Sequence, residues 1–129
     1  MDLDHRDVDR WVVRLDQVVS QVPEEVTKVV ARGAFNIKKD AQRRARGIGR
    51  HARRYPYSIG YDVYQGLRGP TAEIGPDKNR PQGALGNLLE YGSVNNPPHP
   101  HMIPAGAAEA PRFEQALGDL AVRLLEEGR

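Results

Sequence analysis

Four prolines fall within eight residues of this chain, at Pro97, Pro98, Pro100 and Pro104. Proline locks φ near −65° and carries no backbone N–H, so such a run is excluded from a helix interior and from a central strand. Each proline also drives the residue before it toward extended geometry. Residues 95–104 are therefore expected to form a stiff, extended arm held on a compact body. A segment stiffened in this way loses little entropy on docking, which suits it to a lasting protein contact.

The body must come from the rest of the chain. At 129 residues there is room for one domain with a modest core. Aromatic residues make up only 6%, so that core is expected to be aliphatic and alanine-rich. Cysteine is absent, which excludes disulfides, cysteine nucleophiles and thiolate metal sites. The N-terminus begins with Asp2 and Asp4 and lacks an apolar run, so no signal peptide is expected there. Nor does any window approach the roughly 20 apolar residues that span a bilayer. A soluble protein made in a bacterial cytoplasm is the expectation.

Along residues 7–22, Val8, Trp11, Val12, Leu15, Val19 and Val22 recur at helical spacing, with Asp7 as N-cap. This predicts a first amphipathic helix. Pro23 opens a second, with Glu24 and Glu25 in its first turn and a stripe of Val26, Val30, Ala34, Ile37, Ala41 and Ala45. The second helix is expected to end near Arg46, before Gly47. From Tyr57 the period changes to two, with Tyr57, Ile59, Tyr61 and Val63 on one face. A turn at 66–70 and a short strand at 71–75 complete a predicted hairpin. Residues 76–83 read as a loop, and 84–92 as a helical turn running into a strand that begins near Leu88. After the arm, Phe113, Leu117, Leu120, Leu124 and Leu125 carry a strong helical stripe. Pro111 fits its first turn, which makes 105–110 a separate lead-in. The expected architecture is a single α+β domain over 1–129: two N-terminal helices (7–46), a small antiparallel sheet (57–92), the proline-rich arm (95–104) and a C-terminal helix (111–127) packed on the sheet.

Eight cations, Lys38, Lys39, Arg43, Arg44, Arg46, Arg50, Arg53 and Arg54, are opposed by Asp40 alone. Such a cluster can meet phosphates or an acidic neighbour, and nucleic-acid binding through 38–54 is the alternative function it suggests. With like charges and with glycine at 47 and 49, the segment is expected to be mobile until it meets that partner.

Catalytic patterns are weak. His99 and His101 form an H-x-H pair with Glu90 near in sequence, but third and fourth metal ligands are not evident. Glu73, Asp77 and Glu90 have no spacing that argues for magnesium. No nucleophile elbow or phosphate loop occurs. Neither an enzyme nor a cofactor or metal is expected.

Two segments carry a resemblance. Leu89, Glu90, Tyr91, Gly92 and Ser93 read LEYGS, and residues 98–105 read PHPHMIPA before a closing helix. Together with the EIGPD and QGALGN segments at 73–77 and 82–87, these resemble the HK97 gp10-like family, in the version seen in phages of actinobacteria. Residues 53–59 depart from the Pro-x-x-Thr-Gly pattern common in that family. The resemblance implies a small neck protein of a long-tailed phage, a tail terminator or tail completion factor located in the virion. It implies a homo-oligomeric ring, a hexamer, meeting a head-closure (stopper) protein and a tail tube protein. Glu90, Tyr91, Gly92, Pro97, Pro98, His99, Pro100 and His101 are the expected subunit contacts.

Overall fold

The computed structural model describes residues 2–4, 11–14 and 24–127. Strands β1 (Asp2–Asp4), β2 (Trp11–Arg14), β3 (Ile59–Gly66) and β4 (Gly69–Pro76) form one antiparallel sheet in the order β1-β2-β4-β3. Helices α1 (Glu24–Ala45), α2 (Gly86–Tyr91) and α3 (Met102–Glu127) complete the fold, with 3-10 turns at Arg50–Ala52, Tyr55–Ser58 and Gly83–Leu85. The class is the expected α+β.

Helix α1 forms as its stripe predicts. Val30, Ala34, Ile37, Ala41 and Ala45 are buried along it, and the helix lies across β3 and β4. Its small residues let other elements approach. A Cβ on Gly33 would come within 2.9 Å of the Phe113 ring, so α3 crosses α1 at that point. Asn36 donates to both oxygens of Glu109 at 3.3 and 3.2 Å beside the crossing. Met102, Ala105 and Phe113 of α3 share a single core with Ile59, Ala72 and Ile74 of the sheet. Helices α1 and α3 therefore share one core with the sheet.

Four local expectations are corrected. Trp11–Arg14 is a strand, with Trp11 opposite Ile74 and Arg14 opposite Thr71, where a helix over 7–22 is expected. The remainder of that helix lies outside the described residues. Trp-Val-Val suits a strand as well as it suits a helical face. Pairing supplies the decision, because β4 would otherwise leave an edge open beside β3. Tyr57 belongs to a 3-10 turn, and β3 begins two residues later. Residues 86–91 are wholly helical, with no strand from Leu88. Finally, α3 starts at Met102, so 105–110 is continuous helix and Pro111 lies inside it. Ala107 and Pro111 are both on the exposed side, where water can take the carbonyl that proline leaves without a donor.

Candidate functional site

The proline arm is the site to build from. Helix α2 ends at Gly92, whose φ of 76° is left-handed and whose N–H donates to the Leu88 carbonyl at 2.8 Å. A Cβ there would meet Pro98 N at 2.7 Å and Asn96 O at 2.8 Å, so glycine is required both by conformation and by the passing arm. Residues 93–96 make a tight turn, with Ser93 N–H donating to Asn96 O at 2.8 Å. The chain then runs back past α2. His99 N–H donates to the Leu89 carbonyl at 2.6 Å, which satisfies a second carbonyl at the helix end.

The arm then enters α3 through a capping arrangement supplied from a distance. His101 stands at the cap position, and its carbonyl accepts the N–H of Ala105 at 3.3 Å. Its ring, however, turns into the core. The Glu90 carboxylate replaces the missing side-chain cap. Its Oε1 accepts the N–H groups of His101 at 3.0 Å and Met102 at 2.9 Å, and its Oε2 accepts that of Ile103 at 3.1 Å. Pro104 has no N–H to satisfy. All the donors of the first turn are thus accounted for by one carboxylate, which also meets the positive end of the helix dipole.

The His101 ring completes the unit. Its Nδ1 lies 2.8 Å from the His99 carbonyl and 3.1 Å from Glu90 Oε1, and its Nε2 lies 2.6 Å from the Tyr55 hydroxyl. A carbonyl only accepts, so Nδ1 carries the proton and Nε2 accepts from Tyr55. The Tyr55 and His101 rings meet edge to face at 5.1 Å. Both residues are fully buried. Burial favours the neutral imidazole and holds the His101 pKa below its ordinary value, against the opposing pull of the His99 carbonyl and of Glu90.

This geometry sorts the expected contact residues. Glu90 and His101, expected at a subunit interface, are buried in the chain's own core at 4% and 0% exposure, because α3 needs the carboxylate and Tyr55 needs the ring. Gly92 is half-buried. Tyr91, Pro97, Pro98, His99 and Pro100 are exposed, as is Val94 in the turn before them. His99 and His101 therefore point to different environments. Glu73 accepts from the Tyr64 hydroxyl at 3.2 Å and Asp77 from Asn79 N–H at 2.9 Å, so neither joins Glu90. Among the described residues, no group of three or more His, Asp or Glu gathers as metal ligands. Nor is any described helix long and apolar enough to cross a membrane.

The basic segment also divides. Lys38 Nζ sits 5.8 Å from the centre of the Tyr61 ring, a cation–π contact. Arg43 and Arg44 both pair with Asp40, Arg44 at 3.0 Å. Burial raises the Asp40 pKa, but the two arginines outweigh it and hold the carboxyl below its ordinary value. Lys39, Arg46, Arg50, Arg53 and Arg54 have no side-chain partner among the described residues and are exposed. The backbone of the segment follows a defined course in this structure. Gln82 Oε1 accepts the Arg54 N–H and its Nε2 donates to the His51 carbonyl, both at 2.7 Å, while Ala52 and Tyr55 are buried.

Sequence reading finds the arm and the basic cluster but misses Tyr55 and Gln82 as fasteners. One signal was present: Glu90 is a lone carboxylate among Leu88, Leu89 and Tyr91, where a charge needs a buried partner. Comparison with protein-family models, curated proteins and solved structures found no match.

Proposed function

We propose that this chain is a structural subunit of a tailed-phage virion, forming a homo-oligomeric ring in the neck at the head-proximal end of the tail. The supporting observation is the arm. Residues 97–100 are exposed, yet the arm is held on one side by the His99–Leu89 hydrogen bond and on the other by the Glu90 cap. A rigid, solvent-facing segment of this kind docks with little ordering entropy. The residues that carry the family resemblance, Glu90, Gly92, Pro98 and His101, meet here in one structural device.

In this reading the exposed arm and Tyr91 meet a neighbouring subunit, the head-closure protein or the tail tube protein. Electron microscopy of virions lacking the gene tests the role. Tails of uncontrolled length indicate a terminator, and normal tails unattached to full heads indicate a completion factor. Intact infectious virions would reject both.

A further inference from the structure

Helices α1 and α3 run antiparallel. Gly33 faces Phe113, Asn36 bonds Glu109, and Glu25 near the start of α1 lines one groove with Glu127 at the end of α3. The two ends of this helix pair differ sharply in charge. At the end of α3, Glu126 and Glu127 lie in the last turn with no basic residue beside them in that turn, where the helix dipole is itself negative. Arg123 reaches Glu127 only at 3.9 Å, and Glu126 has no partner among the described residues. On the same two turns Val122 and Leu125 are 56% and 72% exposed.

Beyond the other end of α1, the chain folds into a concavity of about 440 Å³ lined by Arg46, Arg50, Arg53 and Tyr57. Its three arginines are unpaired among the described residues, and Tyr57 is 70% exposed. The Gln82 amide fixes the backbone on which these side chains stand. One end therefore offers the last-turn carboxylates with aliphatic side chains, with Lys28 and Arg123 lining the groove beside them, and the other offers guanidinium groups with an aromatic ring.

These ends cannot meet within one molecule. Helix α1 has 22 residues, so it separates them by roughly 30 Å. They can meet only between copies, and where the contact repeats head to tail it is the heterologous geometry from which rings are built. We propose that the acidic C-terminal end of α3 docks into the arginine-lined concavity of a second copy of this chain. The assignment rests on the ring reading above and names its contact. Tyr55, the other tyrosine just after the basic segment, is buried and bonded to His101, which leaves Tyr57 alone beside the concavity to stack on a base; this favours a protein occupant over nucleic acid.

Two charge-reversed full-length variants test this, R50E/R53E and E126R/E127R. The substituted arginines are exposed, as are both glutamates, so thermal melts of each variant should match the unaltered protein. In sedimentation velocity at low salt, the unaltered protein is expected to associate, more weakly as salt rises. Each variant alone should lose at least tenfold in association. Mixed in equal amounts, the two should associate again, because the glutamates of the first face the intact arginines of the second, and the new arginines face the new glutamates. Association of either variant at unaltered strength overturns the docking while leaving the ring intact. Failure of the mixture to recover also overturns it. Absence of association in the unaltered protein at any concentration removes the docking and counts against self-assembly of the ring. Loss of binding to a duplex DNA oligonucleotide in R50E/R53E with assembly unchanged reassigns the concavity to nucleic acid.

Discussion

Glu90 shows how much one buried side chain can organise. It is 4% exposed and accepts three backbone N–H groups at the start of a 26-residue helix. Glu90→Gln keeps the shape but places an amide NH2 where a second acceptor is needed. The expected loss is about 2 kcal/mol in urea unfolding, the usual cost of leaving a buried donor unmet. Unchanged stability would mean that α3 is capped some other way. His101 adds a pH dependence with a definite sign. Its pKa is lowered in the folded chain, so below about 6.5 the unfolded state takes up more protons. Its contribution to stability is complete above that pH and is lost as pH falls through the lowered pKa of the folded chain. His101→Gln should therefore be less stable at pH 7.5 but show a shallower decline between pH 6.5 and 5. Parallel curves for the two proteins would contradict the buried neutral ring.

At the scale of elements, α3 is docked over only part of its length. Phe113 and Leu120 are 1% and 6% exposed, and Leu117 is half-buried against the core, whereas Leu125 is 72% exposed. The apolar stripe read from the sequence continues through Leu125, but α1 and the sheet cover only the earlier turns. Phe113→Ala should cost about 3–5 kcal/mol, because it opens a cavity where α3 crosses α1 at Gly33. Leu125→Ala should change monomer stability by less than about 0.5 kcal/mol. Equal effects in thermal melts would show the whole helix to be core. Strand β2 teaches a related point. Trp11–Arg14 satisfies helical spacing with its neighbours and is still a strand, because β4 offers a complete hydrogen-bonding edge that no local helix can match.

For the whole molecule, the arm can be separated from the fold. Replacing Pro97, Pro98 and Pro100 together by glycine leaves the His99–Leu89 hydrogen bond, the Glu90 cap and the core in place. The monomer should stay folded, with a modest loss from the added freedom of the unfolded chain. Assembly should weaken more, because a flexible arm must be ordered at about 1 kcal/mol or more per residue on docking. Analytical ultracentrifugation compares the two. Assembly at full strength in the triple variant would remove the arm from the interface, leaving the edge strands β1 and β3 and the ends of the helix pair as the contacts.

What the residues decide unaided is whatever depends on near neighbours: the α1 stripe, the β3–β4 hairpin with its period of two, the extended backbone at 97–101, and the concentration of arginine after α1. Those follow from side-chain periodicity, from proline's fixed φ and from formal charge, none of which needs a partner far along the chain. Other features depended on contacts across the fold. Tyr55 and His101 are 46 residues apart, and Arg54 and Gln82 are 28 apart. Nothing local marks either pair. Tertiary structure likewise decided that Glu90 and His101 face inward and that Trp11–Arg14 joins a sheet. It also decided which arginines remain unpaired, since Asp40 takes two of them. The physical reason is the same in each case: a buried polar group or an open strand edge must find a partner, and only the folded chain determines which one is within reach.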